Sequence, residues 1–264
     1  MNILVIGDVV GDLGLEALEQ GITKVKEKYN IDCIIANGEN AAEGKGLTKQ
    51  TFEKIKNAGV NVVTLGNHTW AKMDVFKIIG DKQIVRPANL PKNLPGRGYR
   101  VYNFNDKKIA VVNLLGMINV GINTENSFNV MEKALQNLNE SADIIIVDYH
   151  GETTAEKIAF GKYFDGRITA FFGTHTHVQT ADETILPNNT AYITDLGMTG
   201  SDAGVLGIRK EVAFKRLTTT LPEKYQQELK GPKIFCGAII EVDENKNGKI
   251  LTAKNIIRIR EYLD

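Results

Sequence analysis

The chain contains four histidines, and each lies at the end of a short apolar run: His68 in TLGNH, His150 in VDYH, His175 and His177 in FFGTHTH. Asp8 ends the first such run, in NILVIGD, and Glu39 and Asn40 follow the second, in CIIANGEN. Asn67 directly precedes His68. Imidazole, carboxylate and carboxamide together suit hard-to-borderline cations such as iron, manganese or zinc, with no thiolate required. Singly, none of these residues demands that chemistry. A strand-terminal Asp8 reads as a turn former or helix cap, Asn67 after Gly66 as turn chemistry, and His150 as a core histidine with a partner. Their common position points elsewhere. Five apolar runs end in these eight polar groups, and in open α/β sheets ligands bind beyond the carboxyl ends of the strands.

Helical patterns separate the runs. Leu15, Leu18, Ile22 and Val25 recur at helix spacing after the first, and Thr48 is suited to cap a helix carrying Phe52 and Ile55. VNVVTLGNH, ADIIIVDYH and ITAFFGTHTH continue the series, with TAYITDLG as a sixth run. Val/Ile-rich runs alternating with helices imply strands buried on both faces, hence a layered α/β fold. Two stretches break the alternation. GYRVYNFNDKKIAVVNLLG reads as a hairpin about an Asn-Asp turn, and KIFCGAIIEVDENKNGKILTAKNIIRI as a second about an Asn-Gly turn in DENKNGK. The sheets are therefore expected to be mixed. The simplest organisation is one domain over residues 1–264, with a charged, helix-like excursion near 200–232 forming a small cap or an oligomer contact.

With 264 residues, 42% of them hydrophobic, the chain can bury a sizeable core. Lys+Arg and Asp+Glu both number 32, so no net field draws it to nucleic acid or an anionic membrane, and no stable nucleic-acid partner is indicated. Cys33 and Cys236 lie in separate apolar runs and read as buried free thiols. The N-terminal run is a first core strand rather than a signal peptide, and no run approaches the roughly 18 apolar residues of a membrane span. A cytoplasmic location is the default expectation. NGENAAEGKGLT is not a phosphate-cradling Walker loop: five residues separate Gly38 from Gly44, and Gly46 stands where a hydroxyl is needed.

The ordered series GDVVG, NGENAAEGKGLT, GNHTW, RPAN, DYH, GTHTHVQTAD and AYITDLGMTG resembles the calcineurin-like metallophosphoesterases. More closely, it resembles their YmdB-like branch, the 2′,3′-cyclic-nucleotide 2′-phosphodiesterases. The resemblance runs over nearly the whole chain. It implies an αββα sandwich of two mixed sheets flanked by helices. It also implies two divalent or trivalent metal ions per chain, iron ahead of manganese or zinc. A homo-oligomer is the expected assembly. On the matching positions, Asp8, Asn40 and His177 serve one metal, Asn67, His150 and His175 the other, and Glu39 bridges both. His68 is the acid beside the leaving oxygen. The wider superfamily has Asp-x-His as its first motif, whereas Val10 occupies that histidine position here, and Glu39 replaces the usual bridging aspartate. The first site then depends on Asn40. The implied reaction is hydrolysis of a 2′,3′-cyclic nucleotide to a 3′-nucleotide by a metal-bridging hydroxide. A 3′,5′-cyclic-nucleotide or broad-specificity phosphoesterase is the alternative, and a non-catalytic nucleotide-binding regulator a further one. On this reading His175 and His177 point the same way along an extended segment and reach neighbouring metals, because side chains on a strand alternate with a period of two.

Overall fold

In the computed structural model, which describes residues 1–244 and 248–264, the expected alternation is present and short strands are added to it. The chain opens with β1 (Asn2–Ile6), β2 (Asp8–Val9), α1 (Gly11–Lys28), β3 (Cys33–Asn37), α2 (Lys49–Asn57), β4 (Val62–Thr64) and β5 (Ile84–Val85). Next come β6 (Tyr99–Phe104), β7 (Lys107–Leu115), α3 (Ser127–Ser141), β8 (Ile144–His150), α4 (Thr154–Tyr163) and β9 (Ala170–Thr174). The remainder is β10 (Thr184–Ile185), β11 (Ala191–Ile193), β12 (Met198–Ser201), α5 (Lys210–Thr219), β13 (Lys233–Val242) and β14 (Ala253–Leu263).

These strands make two mixed sheets. One runs β2-β12-β13-β1-β3-β4-β5, with β14 paired to the other side of β13. The other runs β10-β11-β9-β8-β7-β6. Within the first, β1, β3, β4 and β5 are mutually parallel; within the second, β7, β8, β9 and β11 are. The period-two alternation of the strands fixes the layers. Along β1, Ile3 and Val5 join Ile146 and Phe172 of the second sheet, while Leu4 and Ile6 pack under Leu18 and Ile22 of α1. On the far side, Val112 and Val147 pack against Leu135 of α3 and Phe160 of α4. The layers are thus helix, sheet, sheet, helix. Each fully buried aliphatic side chain in them contributes about 1.5–3 kcal/mol relative to exposure.

Local signals read from the sequence account for several joins. Thr48 caps α2: its hydroxyl accepts from Thr51 N at 3.2 Å, and Thr48 N donates to the Thr51 hydroxyl at 3.0 Å. The β6–β7 hairpin turns through Asn105 and Asp106, both at positive φ as a primed two-residue turn requires. The second expected hairpin pairs β13 with β14 in antiparallel fashion; its expected Asn-Gly turn includes residues 245–247, outside the described residues. The 200–232 excursion is helical only over α5. Its later part returns to the chain: Gln227 Nε2 donates to Asp12, and Lys45 Nζ stands 6.0 Å from the Tyr225 ring centre. No helix among the described residues is long and apolar enough to cross a membrane.

Candidate metal centre

Because β1, β3 and β4 run parallel in one sheet and β7, β8 and β9 in the other, two sets of carboxyl ends face a common edge. The turn after β3 carries Glu39 and Asn40, the turn after β4 carries Asn67 and His68, His150 closes β8, and His175 and His177 follow β9. Glu39 Oε1 lies 3.1 Å from His150 Nε2, so the two sheets meet through these side chains.

His150 Nε2 is the focus. Asn67 Oδ1 approaches it at 3.0 Å, His175 Nδ1 at 2.9 Å and Glu39 Oε1 at 3.1 Å. One ring nitrogen can donate at most one proton, so hydrogen bonding cannot satisfy three electron-pair donors converging on it. A cation can. Glu39, His150 and His175 each offer a ligand atom within 4.8 Å of the others. A Cβ at Gly66 would collide with both Glu39 and His150, so only glycine lets the backbone pass this close.

The rings are oriented from behind. His150 Nδ1 lies 2.9 Å from the Thr174 hydroxyl, which in turn donates to Asp148 Oδ1 at 2.7 Å. With Nδ1 bearing the proton toward Thr174, Nε2 keeps its lone pair for a metal, the usual arrangement for a ligating histidine. His175 is held the other way round, with Nε2 3.0 Å from Glu152 and Nδ1 facing the cluster. Asp148 also accepts from Asn37 Nδ2 at 3.1 Å and from the Thr64 hydroxyl.

The second grouping is looser. Asn40 Nδ2 lies 3.0 Å from His177 Nε2. Asp8 is fully buried; its Oδ2 accepts from His175 N at 3.0 Å, while Oδ1 has no hydrogen-bond partner among the described residues. An orphaned buried carboxylate oxygen at the edge of a donor cluster also fits a cation. Asn40 thus stands beside His177, the neighbour that the resemblance implies for it; Val10 packs with Met198, Ile234 and Cys236.

One expectation is corrected. His175 and His177 do not lie on an extended segment: β9 ends at Thr174, and the two residues have φ of 104° and 63°. The period-two argument therefore does not apply, and the rings meet different partners, His150 and Asn40. Positive φ is uncommon for a residue with a side chain. Hydrogen bonds hold it here, from His175 N to Asp8 and from Thr176 N to Asp195 Oδ2 at 3.2 Å. Asp195 in turn pairs with Lys157, whose Nζ lies 2.6 Å away and also donates to Thr174 O at 2.9 Å, with both side chains buried.

Burial and neighbouring charge set the ionisation of the cluster. Desolvation would raise the Glu39 carboxyl, but His150 and His68 hold it well below the usual range. Desolvation wins at Asp8, which is raised despite His150 and His177, and raises Asp148 to about 6. His150 overcomes its burial through Glu39 and Asp8 and rises to about 9, whereas burial and His150 push His175 down to about 3. His68 lies at the mouth: its side chain is 26% exposed, its Nδ1 is 3.1 Å from Glu39 Oε1, and its backbone N donates to Glu39 Oε2 at 2.8 Å.

Sequence reasoning did not single out Glu152, Asp148, Thr174, Lys157 or Asp195. Glu152 and Asp148 each lie two residues from His150, a proximity that could have drawn attention to them. Lys157 reads as an ordinary charged position on a helix and carried no signal.

Comparison with known proteins finds relatives of similar length. A 2′,3′-cyclic-nucleotide 2′-phosphodiesterase of Bacillus subtilis is 42% identical over 245 residues, covering 92% of each chain. A crystal structure described as a novel phosphatase from Mycoplasma pneumoniae superposes with a TM-score of 0.92 at 37% identity, covering 100% of this chain and 94% of that one. A hypothetical protein from Thermus thermophilus superposes with a TM-score of 0.91 at 34% identity over 100% of both chains. The family model of YmdB-like proteins matches residues 4–256, and the chain belongs to that family.

Proposed function

We propose that this protein is a metal-dependent phosphodiesterase that hydrolyses 2′,3′-cyclic nucleotides to 3′-nucleotides at a dinuclear centre. The observation that carries the reading is the convergence of Glu39, Asn67 and His175 on His150 Nε2, in a chain 42% identical to a relative of that activity. Glu39, Asn67, His150 and His175 would hold one ion, and Asp8, Asn40 and His177 the second, with Glu39 available to both. When bound, such a pair polarises phosphoryl oxygens and lowers the pKa of water toward neutrality. The chain's own contribution is to orient these donors and to deliver a proton. His68 is partly exposed beside Glu39, with Nδ1 turned to that carboxylate. Its Nε2 is then the nitrogen free to protonate the departing 2′ oxygen. General acid help of this kind is worth about 10²–10⁴-fold. Iron is the metal we assign first, ahead of manganese and zinc, in a single domain that assembles as a homo-oligomer in the cytoplasm.

The test is a panel assay on purified protein with its metals quantified. The expected result is two metals per chain and a kcat/KM for 2′,3′-cyclic mononucleotides above that for 3′,5′-cyclic nucleotides and phosphomonoesters. Preference for a 3′,5′-cyclic nucleotide, or full activity with one metal, would overturn the reading.

A further inference from the structure

A groove of about 780 Å³ lies away from the histidines, along the free edge of the second sheet. It is bounded by β6, by the segment after β5 and by α3, and six cations line it: Lys82, Arg86, Lys92, Arg97, Arg100 and Lys133. Glu125 is the lone carboxylate in that lining. Arg86 directs its guanidinium to the carbonyls of Pro87, Leu94 and Pro95, and Arg100 directs its own to those of Gly80, Asp81 and Ile84. Both guanidiniums are thus engaged in holding backbone, and Arg86 is buried, so the cations open to an anion are the exposed Lys82, Lys92, Arg97 and Lys133. Lys82, Lys92, Arg97 and Lys133 form no ion pair among the described residues. A chain with zero net charge thus concentrates unbalanced positive charge in one concave strip, and such focusing attracts anions.

Lys82, Lys92 and Arg97 are spaced along the stretch 82–97 and Lys133 stands on α3, a spread of charge that suits a row of phosphates. Tyr99 and Tyr102 also line it, but three residues apart on β6 they point to opposite faces of the sheet, each packed on a different core, so the charge and not the rings carries the recognition. A positively charged groove that tracks the backbone is the sequence-independent part of how proteins hold single-stranded nucleic acid. One end of the groove also lies near the candidate metal centre. Tyr99 pairs with Val112 of β7, and Leu115 of β7 pairs with His150. The upper end of the groove therefore lies roughly 10 Å along the strands and roughly 10 Å across them from His150.

We propose that this groove binds single-stranded RNA and so brings a chain whose 3′ end is a 2′,3′-cyclic phosphate to the histidine cluster. The second half rests on the function proposed above. There, the oxygen of water joins phosphorus, the bond to the 2′ oxygen breaks and that oxygen leaves protonated, so the RNA ends in a 3′-phosphate.

The binding test needs no catalysis. A fluorescein-labelled RNA about ten nucleotides long, ending in a 3′-hydroxyl, is titrated with the metal-loaded protein and followed by anisotropy at several salt concentrations. The triple variant Lys92→Gln, Arg97→Gln, Lys133→Gln is expected to weaken binding at least about tenfold and to lower the logarithmic salt slope by roughly two. Unchanged binding in that variant would overturn the proposal, as would displacement of the RNA by tripolyphosphate as readily as by unlabelled RNA. Turnover is then compared on two substrates. The variant should lose at least about tenfold more kcat/KM on RNA ending in a cyclic phosphate than on a cyclic mononucleotide; equal losses would overturn delivery to the centre. Groove-dependent RNA binding by a protein that cleaves no cyclic phosphate would uphold the groove and overturn the assignment of its 3′ end.

Discussion

The Glu152 carboxylate lies 3.0 Å from His175 Nε2, on the side of the ring away from the cluster. That contact assigns the ring proton to Nε2 and leaves the Nδ1 lone pair for a cation. Removing such an outer partner usually costs 10- to 100-fold in metal affinity. Glu152→Ala should therefore weaken binding of one metal equivalent by at least about tenfold in a competition titration against a chelator, and Glu152→Gln, which can still accept a hydrogen bond, should lose less. An affinity within twofold of the parent in Glu152→Ala would show that the ring is positioned by its backbone alone.

The buried Lys157–Asp195 pair anchors the two-histidine segment from beneath, through Thr174 O and Thr176 N. Breaking a buried pair by deleting one charge leaves the other uncompensated, at a cost of about 3–5 kcal/mol. Lys157→Met is expected to lose that much in urea unfolding. The double variant Lys157→Met, Asp195→Asn should recover at least about 1 kcal/mol of it, because no lone charge remains buried. A loss below about 1 kcal/mol in the single variant would mean that water reaches the pair.

Cys33 and Cys236 are free and buried, and burial pushes each thiol up to about 12. An unfolded cysteine ionises near pH 8.5. The folded thiols therefore stay protonated over a wider range, and their contribution weakens the fold only as pH rises above about 8.5 toward 12. At pH 8 a disulfide reagent such as dithiobis-nitrobenzoate should find neither thiol in the native protein and both in denaturant. Rapid native labelling of either would contradict its burial.

Much of the candidate site's placement was legible because its residues end strands. Asp8, Glu39, Asn67 and His150 follow Val/Ile-rich runs whose direction the βα alternation fixes, and all reach one edge. The path after β9 was not legible. The path through His175 depends on hydrogen bonds that Asp8 and Asp195 accept from His175 N and Thr176 N, partners set by the fold and not by the local sequence. Strands of two residues such as β2 and β5 were missed because a period-two pattern needs more positions to register. The roles of Thr174 and Lys157 were hidden for a related reason: each has an unremarkable sequence position and becomes specific only through partners on other elements.

His68 stands apart from the His150 cluster, with its Nδ1 facing Glu39 and its ring partly open to solvent. A ribose hydroxyl is a poor leaving group and must be protonated as its bond to phosphorus breaks. In His68→Ala the backbone N–H at position 68 still holds Glu39 Oε2, so elemental analysis should find the metal content retained. Turnover of a 2′,3′-cyclic nucleotide should fall at least about a hundredfold. A phosphodiester with a nitrophenolate leaving group departs without a proton, and its hydrolysis should fall far less. The ratio of the two losses is the informative quantity, because a defect in folding or metal binding depresses both substrates alike. Equal losses together with lost metal would make His68 a support for Glu39 and leave the acid to another group at the mouth of the site.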